Sequence, residues 1–216
     1  MLTLVLFGVR SPLVVDYQET CLRLGIEPAG RQASTRPSRA LKGLAMLDEA
    51  EPGAGRAATC VAFVPRRRAE LAAQAAAAGF TVAAPLIDPT SVVATSSEIE
   101  DGCYLNAGCV IGGASRIGAH VVINRAASIG HHVLVDDFAS IGPGVTIPGS
   151  VTIGARALIG AGSVLLPGVS IGADAVISAG SVVRNDVAEG MVVSGNPARP
   201  LPRRLLNSLL DRDGDE

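Results

Sequence analysis

From Ile87 to Val183 every sixth residue is Ile, Leu or Val, without interruption. Two positions before each of these from Val93 onward, at Ser91 and Ser97 through Cys103, Cys109, Ser115, Val121 and Ala127 to Ser181, stands Ser, Cys, Ala or Val. An amphipathic helix repeats its apolar positions every 3.6 residues, and a plain alternating strand does not break into units of fixed length. A period of six predicts hexapeptide β-helix repeats, in which short strands alternate with corners and both apolar positions face a narrow interior. Seven lattice residues are followed by glycine (Gly112, Gly118, Gly130, Gly142, Gly154, Gly160, Gly172) and four by Asp88, Asn106, Asn124 or Asp136. Because these residue types tolerate left-handed backbone, they are expected to form the tight corners.

Upstream of the lattice the pattern changes. The apolar run over residues 2–7 predicts a buried strand, and residues 8–12 a turn into a helix over 13–24 that Gly25 closes. A second strand is expected at 59–64, an amphipathic helix at 66–78 with Gly79 as its stop, and a short strand at 81–84. The polar, turn-rich stretch 29–37 reads as a loop. The expected organisation is a small N-terminal α/β (Rossmann-like) domain over 1–85, a hexapeptide-repeat β-helix over 86–193, and a C-terminal extension over 194–216 with a short helix at 201–210 and an acidic tail.

Composition narrows this picture only slightly. Among 216 residues, 48% are hydrophobic, 3% aromatic and none is Trp, as suits an interior that admits only small and branched side chains. The formal net charge of -2 supplies no field for nucleic acid. Of the four cysteines, Cys21, Cys60, Cys103 and Cys109, the last two fall on the small inward position, and all four are expected to be reduced core residues. No stretch approaches the roughly 20 apolar residues that span a bilayer, and no signal-peptide pattern opens the chain, so a cytoplasmic location is expected.

The segment Ile123-Asn-Arg-Ala-Ala-Ser-Ile-Gly-His-His132, the run Ile141-Gly-Pro-Gly-Val-Thr-Ile-Pro-Gly149 and the closing Gly195-Asn-Pro-Ala198, joined to an N-terminal α/β domain, resemble the sialic acid O-acetyltransferase and nucleotide-amino-sugar N-acetyltransferase family. The resemblance implies a left-handed parallel β-helix with three hexapeptides per eighteen-residue coil, against the right-handed rule for parallel crossovers. It implies a homotrimer that transfers an acetyl group from acetyl-CoA to an amino or hydroxyl group of a small acceptor, a nucleotide-linked or free amino sugar.

By the same resemblance His131 is the general base. Two residues after Ile129 it falls on an outward corner, and imidazole titrates near neutrality. Family members carry a carboxylate or amide after this histidine; here His132 follows, leaving Asp136 or Asp137 of a neighbouring chain as candidates for the orienting role. Ser140, Ala161 and Ala179 match cofactor contacts, and the last two stand eighteen residues apart, one above the other on successive coils. Gly142 is a candidate to present its backbone N–H to the oxyanion, and Asn124 matches a position near the acyl or acceptor group. Arg199, with Arg203 and Arg204, is a candidate for the CoA phosphates.

In the family, a glycine-rich turn after the first strand holds the nucleotide diphosphate. Here the turn is Gly8-Val-Arg-Ser-Pro12, which leaves Gly8, Arg10 and Ser11 as acceptor-binding candidates. An acidic pair expected after the second strand is replaced by Gln32 to Arg36. Two other functions fit the same fold. One is a non-catalytic scaffold. The other is a zinc hydratase of the carbonic anhydrase type, with His120, His131 and His132 as ligands; no metal is expected for the acetyltransferase.

Overall fold

A computed structural model describes residues 3–31, 43–47 and 53–202. The sequence expectations for 32–36, the helix at 201–210, the acidic tail, Arg203 and Arg204 fall wholly or mostly outside the described residues.

The N-terminal part is an α/β unit: β1 (Thr3–Phe7), α1 (Val14–Arg23), β2 (Ala29–Arg31), β3 (Ala45–Met46), β4 (Arg56–Cys60), α2 (Pro65–Ala77) and β5 (Thr81–Val82). All neighbouring pairs run parallel in the order β3-β2-β1-β4-β5. Both helices lie within a residue of their expected positions, and Gly25 and Gly79, at φ +67° and +83°, end them as left-handed residues.

Two expectations need correction. Residues 29–31 are a buried strand beside β1, although Ala-Gly-Arg has no apolar signature. Gly30 is needed there because a Cβ would stand 2.6 Å from a Leu44 methyl. Strand β4 runs over Arg56–Cys60 and not 59–64; Val61 and Phe63 of the apolar run lie beyond its end and pack in the junction with the rest of the molecule.

From β6 (Leu86–Ile87) to β22 (Val182–Val183) each strand is two residues long and ends on a lattice residue. Strands pair in parallel with those eighteen residues away, as Val110 with Ser128 and Ile123 with Ile141. Three sheets result, and the chain forms a parallel β-solenoid. The first face carries Leu86–Ile87, Tyr104–Leu105, Val122–Ile123, Ser140–Ile141, Leu158–Ile159 and Val176–Ile177, and continues into β23 (Val192–Ser194) and the antiparallel β24 (Arg199–Leu201). The second face includes Val110–Ile111 and Ser128–Ile129, and the third Arg116–Ile117 and Leu134–Val135. The lattice residues and their small partners fill one continuous core, from Cys103 and Leu105 to Val183.

The corners are built differently from the expectation. From Gly102 to Gly180 the left-handed residue is the third after the lattice residue, as at Ala114 (φ 56°), His120 (55°), Ala126 (55°) and His132 (55°). The glycine directly after the lattice residue has no positive φ. It is required by close approach of coils: a Cβ on Gly142 would lie 2.7 Å from the Ala161 nitrogen, and one on Gly154 2.5 Å from the Ala173 nitrogen.

The N-terminal unit covers the first face. Strand residues that point outward there, Tyr104, Val122 and Ser140, are fully buried, whereas Val92, Val110 and Leu134 on the other faces are exposed. Tyr17 of α1 stacks on Tyr104 with ring centres 3.7 Å apart, and Thr20 and Arg23 bond the Asp88 carboxylate at 3.0 and 2.8 Å. From α2, the wholly buried Arg68 donates to the carbonyls of Ala62, Phe63, His120, Phe138 and Ala139 and to the Ser140 hydroxyl, at 2.5–3.0 Å. No carboxylate balances it among the described residues, and burial lowers its pKa to about 10.

Candidate active site

Three edges separate the faces of the solenoid, and each collects every third corner. Asn124, Gly142, Ala161 and Ala179 belong to the first edge, His131 and His132 to the second, and His120, Asp137 and Phe138 to the third. His131 is therefore one face away from the other catalytic candidates, roughly 20 Å at the rise of an extended chain. Within one chain the candidates do not converge.

His131 is exposed on its corner. Its carbonyl accepts from Ser150 N on the next coil at 2.9 Å, and the left-handed His132 donates its backbone N–H to Gly113 O on the preceding coil at 3.0 Å. The imidazole lies over Gly149: a Cβ there would stand 2.7 Å from Nε2 and 2.9 Å from Nδ1. Its other neighbour is His132, with the two Nδ1 atoms 3.0 Å apart and the rings at 85°. Backbone hydrogen bonds thus fix the corner from both sides, while Gly149 and His132 bracket the ring.

The first edge divides into two parts. At Asn106 and Asn124 the amide side chains form a ladder: Asn106 Nδ2 donates to Asn124 Oδ1 at 2.9 Å, which also accepts the Arg125 N–H at 2.8 Å. Asp16 of α1 binds this ladder through Arg125 and Asn106. Asn124 is buried, and its oxygen is occupied by Asn106 and the Arg125 N–H, the two residues whose side chains hold Asp16 of the N-terminal unit. Further along, Ala161 and Ala179 are exposed, and their N–H groups have no partner among the described residues. These two offer the small surface and free donors that an extended amide-bearing chain requires. Exposed Arg199 lies near the end of this edge, where Gly195 closes over the coil of Ala179.

Two candidates are occupied elsewhere. The Gly142 N–H donates to Ile159 O at 2.8 Å and so is not free for an oxyanion. Ser140 has no exposed surface; its hydroxyl donates to Phe63 O at 2.5 Å and accepts from Arg68 at 2.9 Å. The lattice gave no sign that the N-terminal unit would cover the first face.

Gly8, Arg10 and Ser11 form the turn between β1 and α1, at the carboxyl ends of the strands and beside the point where the sheet order reverses between β1 and β4. Gly8 has φ +95° and lies against Leu71, and Ser11 Oγ accepts the Leu13 N–H at 3.3 Å.

His120, offered as a zinc ligand, is buried on the third edge with its ring stacked on Phe138 at 4.8 Å. It does not join His131 and His132. Burial first, and then the Arg68 charge, lower its pKa below 6.5. Among the described residues no group of three His, Cys, Asp or Glu side chains is placed to hold a metal ion, and no helix is long and apolar enough to cross a membrane.

Known proteins place this arrangement in context. A family model described as bacterial transferase hexapeptide (six repeats) matches residues 150–185. None of the curated proteins matches by sequence. Among solved structures, the acetyltransferase domain of PglB from Neisseria gonorrhoeae, in complex with acetyl coenzyme A, is 29% identical with a TM-score of 0.82, over 92% of this chain and 98% of that one. A histidine-to-alanine mutant of GDP-perosamine N-acetyltransferase from Caulobacter crescentus, in complex with CoA and GDP-perosamine, is 29% identical with a TM-score of 0.84, over 93% and 97%. A histidine-to-asparagine mutant of the Caulobacter enzyme gives 28% and 0.83 over the same shares. In its solenoid and its repeat the chain is thus similar to hexapeptide-repeat acetyltransferases, and among these neighbours the Caulobacter enzyme is a GDP-perosamine N-acetyltransferase, in keeping with the family that the sequence resembles.

Proposed function

We propose that this protein transfers the acetyl group of acetyl-CoA to the amino group of a nucleotide-linked sugar, with His131 as the general base. The observation that carries this reading is the outward His131 imidazole, fixed between two coils and open to solvent at its edge. Support comes from the neighbours: one holds acetyl coenzyme A, and another holds CoA with GDP-perosamine in histidine variants.

Acetyl-CoA supplies an activated thioester carbonyl. The chain's own residues do the rest. Ala161 and Ala179 present free N–H donors for the pantetheine amides, and Arg199 offers a cation for the phosphates. The turn Gly8 to Ser11, at the reversal of the α/β sheet, is proposed to receive the nucleotide end of the acceptor. As the acceptor nitrogen bonds to the carbonyl carbon, His131 Nε2 takes the proton that this nitrogen sheds; the C–S bond breaks, and the proton passes to the departing thiolate or to solvent.

Because His131 and the Ala161–Ala179 column occupy different edges, the reading requires a second chain. In a homotrimer of left-handed coils the second edge of one subunit meets the first edge of the next, and each site is shared. The division into 1–85, 86–193 and 194–216 follows the same logic, with the first part binding the acceptor and the second the donor.

The test is an assay of acetyl-CoA thiolysis over a panel of nucleotide-linked amino sugars, with free amino sugars and sialic acids as comparison. Wild type is expected to acetylate a nucleotide-linked amine, and His131→Ala to lose on the order of 10²- to 10⁴-fold in kcat. Full turnover in His131→Ala removes the base. Absence of CoA binding by calorimetry would leave a scaffold.

A further inference from the structure

The carboxylate or amide that follows the base in the resembled family is absent here, and no acidic side chain of the same chain replaces it. Asp136 and Asp137 belong to the third edge, and the Asp137 carboxylate accepts the Ala119 N–H at 2.9 Å. On the coils either side of the pair, Gly113, Ala114, Gly149 and Ser150 carry no ionisable group. Among the described residues, the sole side-chain hydrogen-bond partner of His131 is His132, Nδ1 to Nδ1 at 3.0 Å.

A contact between two imidazole Nδ1 atoms holds a single proton, so one ring donates and the other accepts with a bare lone pair. If His132 donates, His131 is protonated at Nε2 when its Nδ1 is bare, and it has no lone pair at the solvent-facing edge. If His131 donates, its Nε2 is bare and His132 carries its own proton on Nε2, where water satisfies it. Only the second arrangement makes His131 a base.

We propose that His132 is a positioning residue: its bare Nδ1 accepts the His131 Nδ1–H, fixes the His131 tautomer with Nε2 unprotonated, and so does with a neutral imidazole what a carboxylate does elsewhere. This rests on the reading of His131 as the base. His132 itself has a left-handed backbone, at φ 55°, and its ring stands at 85° to that of His131 with centres 5.2 Å apart.

The backbone also dictates the variants. His132→Gly deletes the acceptor at a φ that glycine adopts freely, and His132→Asn keeps an acceptor oxygen on a residue that tolerates this region. Nitrogen-15 NMR of the free wild-type protein is expected to show His131 with a protonated Nδ1 and a bare Nε2, and His132 with the opposite tautomer. In His132→Gly the preference of His131 is lost. Turnover then falls about 10- to 100-fold in kcat with KM unchanged, the usual range for loss of an orienting partner. His132→Asn recovers most of it, and neither variant moves the thermal midpoint by more than a few degrees.

A wild-type His131 protonated on Nε2 overturns the proposal, as does an unchanged kcat in His132→Gly. The base reading fails by a different measurement: turnover that survives His131→Ala would show that another group takes the proton, even where NMR finds the tautomer as proposed.

Discussion

Gly149 stands where a Cβ would fall 2.7 Å from His131 Nε2, closer than side-chain atoms approach one another. The obstructing group is the movable end of a ring, and Gly149 has no positive φ, so alanine fits the backbone and the imidazole gives way. Gly149→Ala is expected to lower kcat about tenfold or more by displacing the base, with no fall in thermal stability. An unchanged kcat would show that the ring position over Gly149 is not the working one. This residue was within reach of the sequence, since it stands eighteen positions after His131 and one coil is eighteen residues. The outward setting of His131 and the stacking of Ala161 beneath Ala179 were legible for the same reason. The loss of Ser140 to the junction was not, because the lattice describes what faces inward and is silent on what covers a face. Arg68, the residue that claims Ser140, falls in the helix expected at 66–78, and nothing in the sequence marks it as buried.

At the scale of the corner, the six-residue unit uses two residues for two different reasons, and the sequence shows only one of them. Glycines are conspicuous directly after the lattice residue, yet the left-handed backbone lies two residues further on, where Ala114, Ala126, Phe138 and Arg156 also serve. Glycine after the lattice is a matter of room between coils. The two explanations predict opposite results from swapping Ala and Gly. Gly154→Ala pushes a methyl to 2.5 Å from the Ala173 nitrogen, a backbone atom that cannot step aside, and is expected to cost about 1–3 kcal/mol. Ala114→Gly relieves an L-residue held at φ 56°, which outweighs the extra freedom of glycine in the unfolded chain, and is expected to stabilise by about 0.5–1 kcal/mol. Urea midpoints of the two variants decide it; equal signs would refute the distinction. The strand positions themselves were fully legible, because every strand from Leu86–Ile87 to Val182–Val183 ends on the lattice. The three-residue β2 was not, since its burial comes from neighbours and not from its own composition.

For the molecule as a whole, the joint between the α/β unit and the solenoid is held by Arg68. Removing its guanidinium takes this donor from the carbonyls of Ala62, Phe63, His120, Phe138 and Ala139 in a buried interface. Arg68→Met is expected to cost about 3–5 kcal/mol, and Arg68→Lys to recover only part, because one ammonium cannot reach carbonyls on both sides of the joint. A loss below about 1 kcal/mol in either variant would show that the joint does not depend on this network.

Burial of His120, and after it the same cation, makes the joint sensitive to acid. His120 donates no hydrogen bond from Nδ1, which is buried without a partner, and its protonation is opposed first by burial and then by Arg68. With the folded pKa below the ordinary 6.5, the unfolded chain binds the proton more readily, so stability rises with pH through this window and falls on acidification. The contribution is complete above about pH 6.5 and declines below it toward the folded value. Asp88 acts in a separate, lower window: hydrogen bonds from Thr90 and Thr20 and the Arg23 charge outweigh its burial and hold it below 3.8, so its contribution is lost only in stronger acid. Chemical denaturation at pH 8, 7, 6 and 5 should therefore be flat at first and then weaken, and His120→Asn, which suits φ 55°, should flatten the decline between 6.5 and 5. If wild type and His120→Asn weaken in parallel over that range, the acid sensitivity belongs to other groups, and the buried imidazole is no part of what joins the two halves.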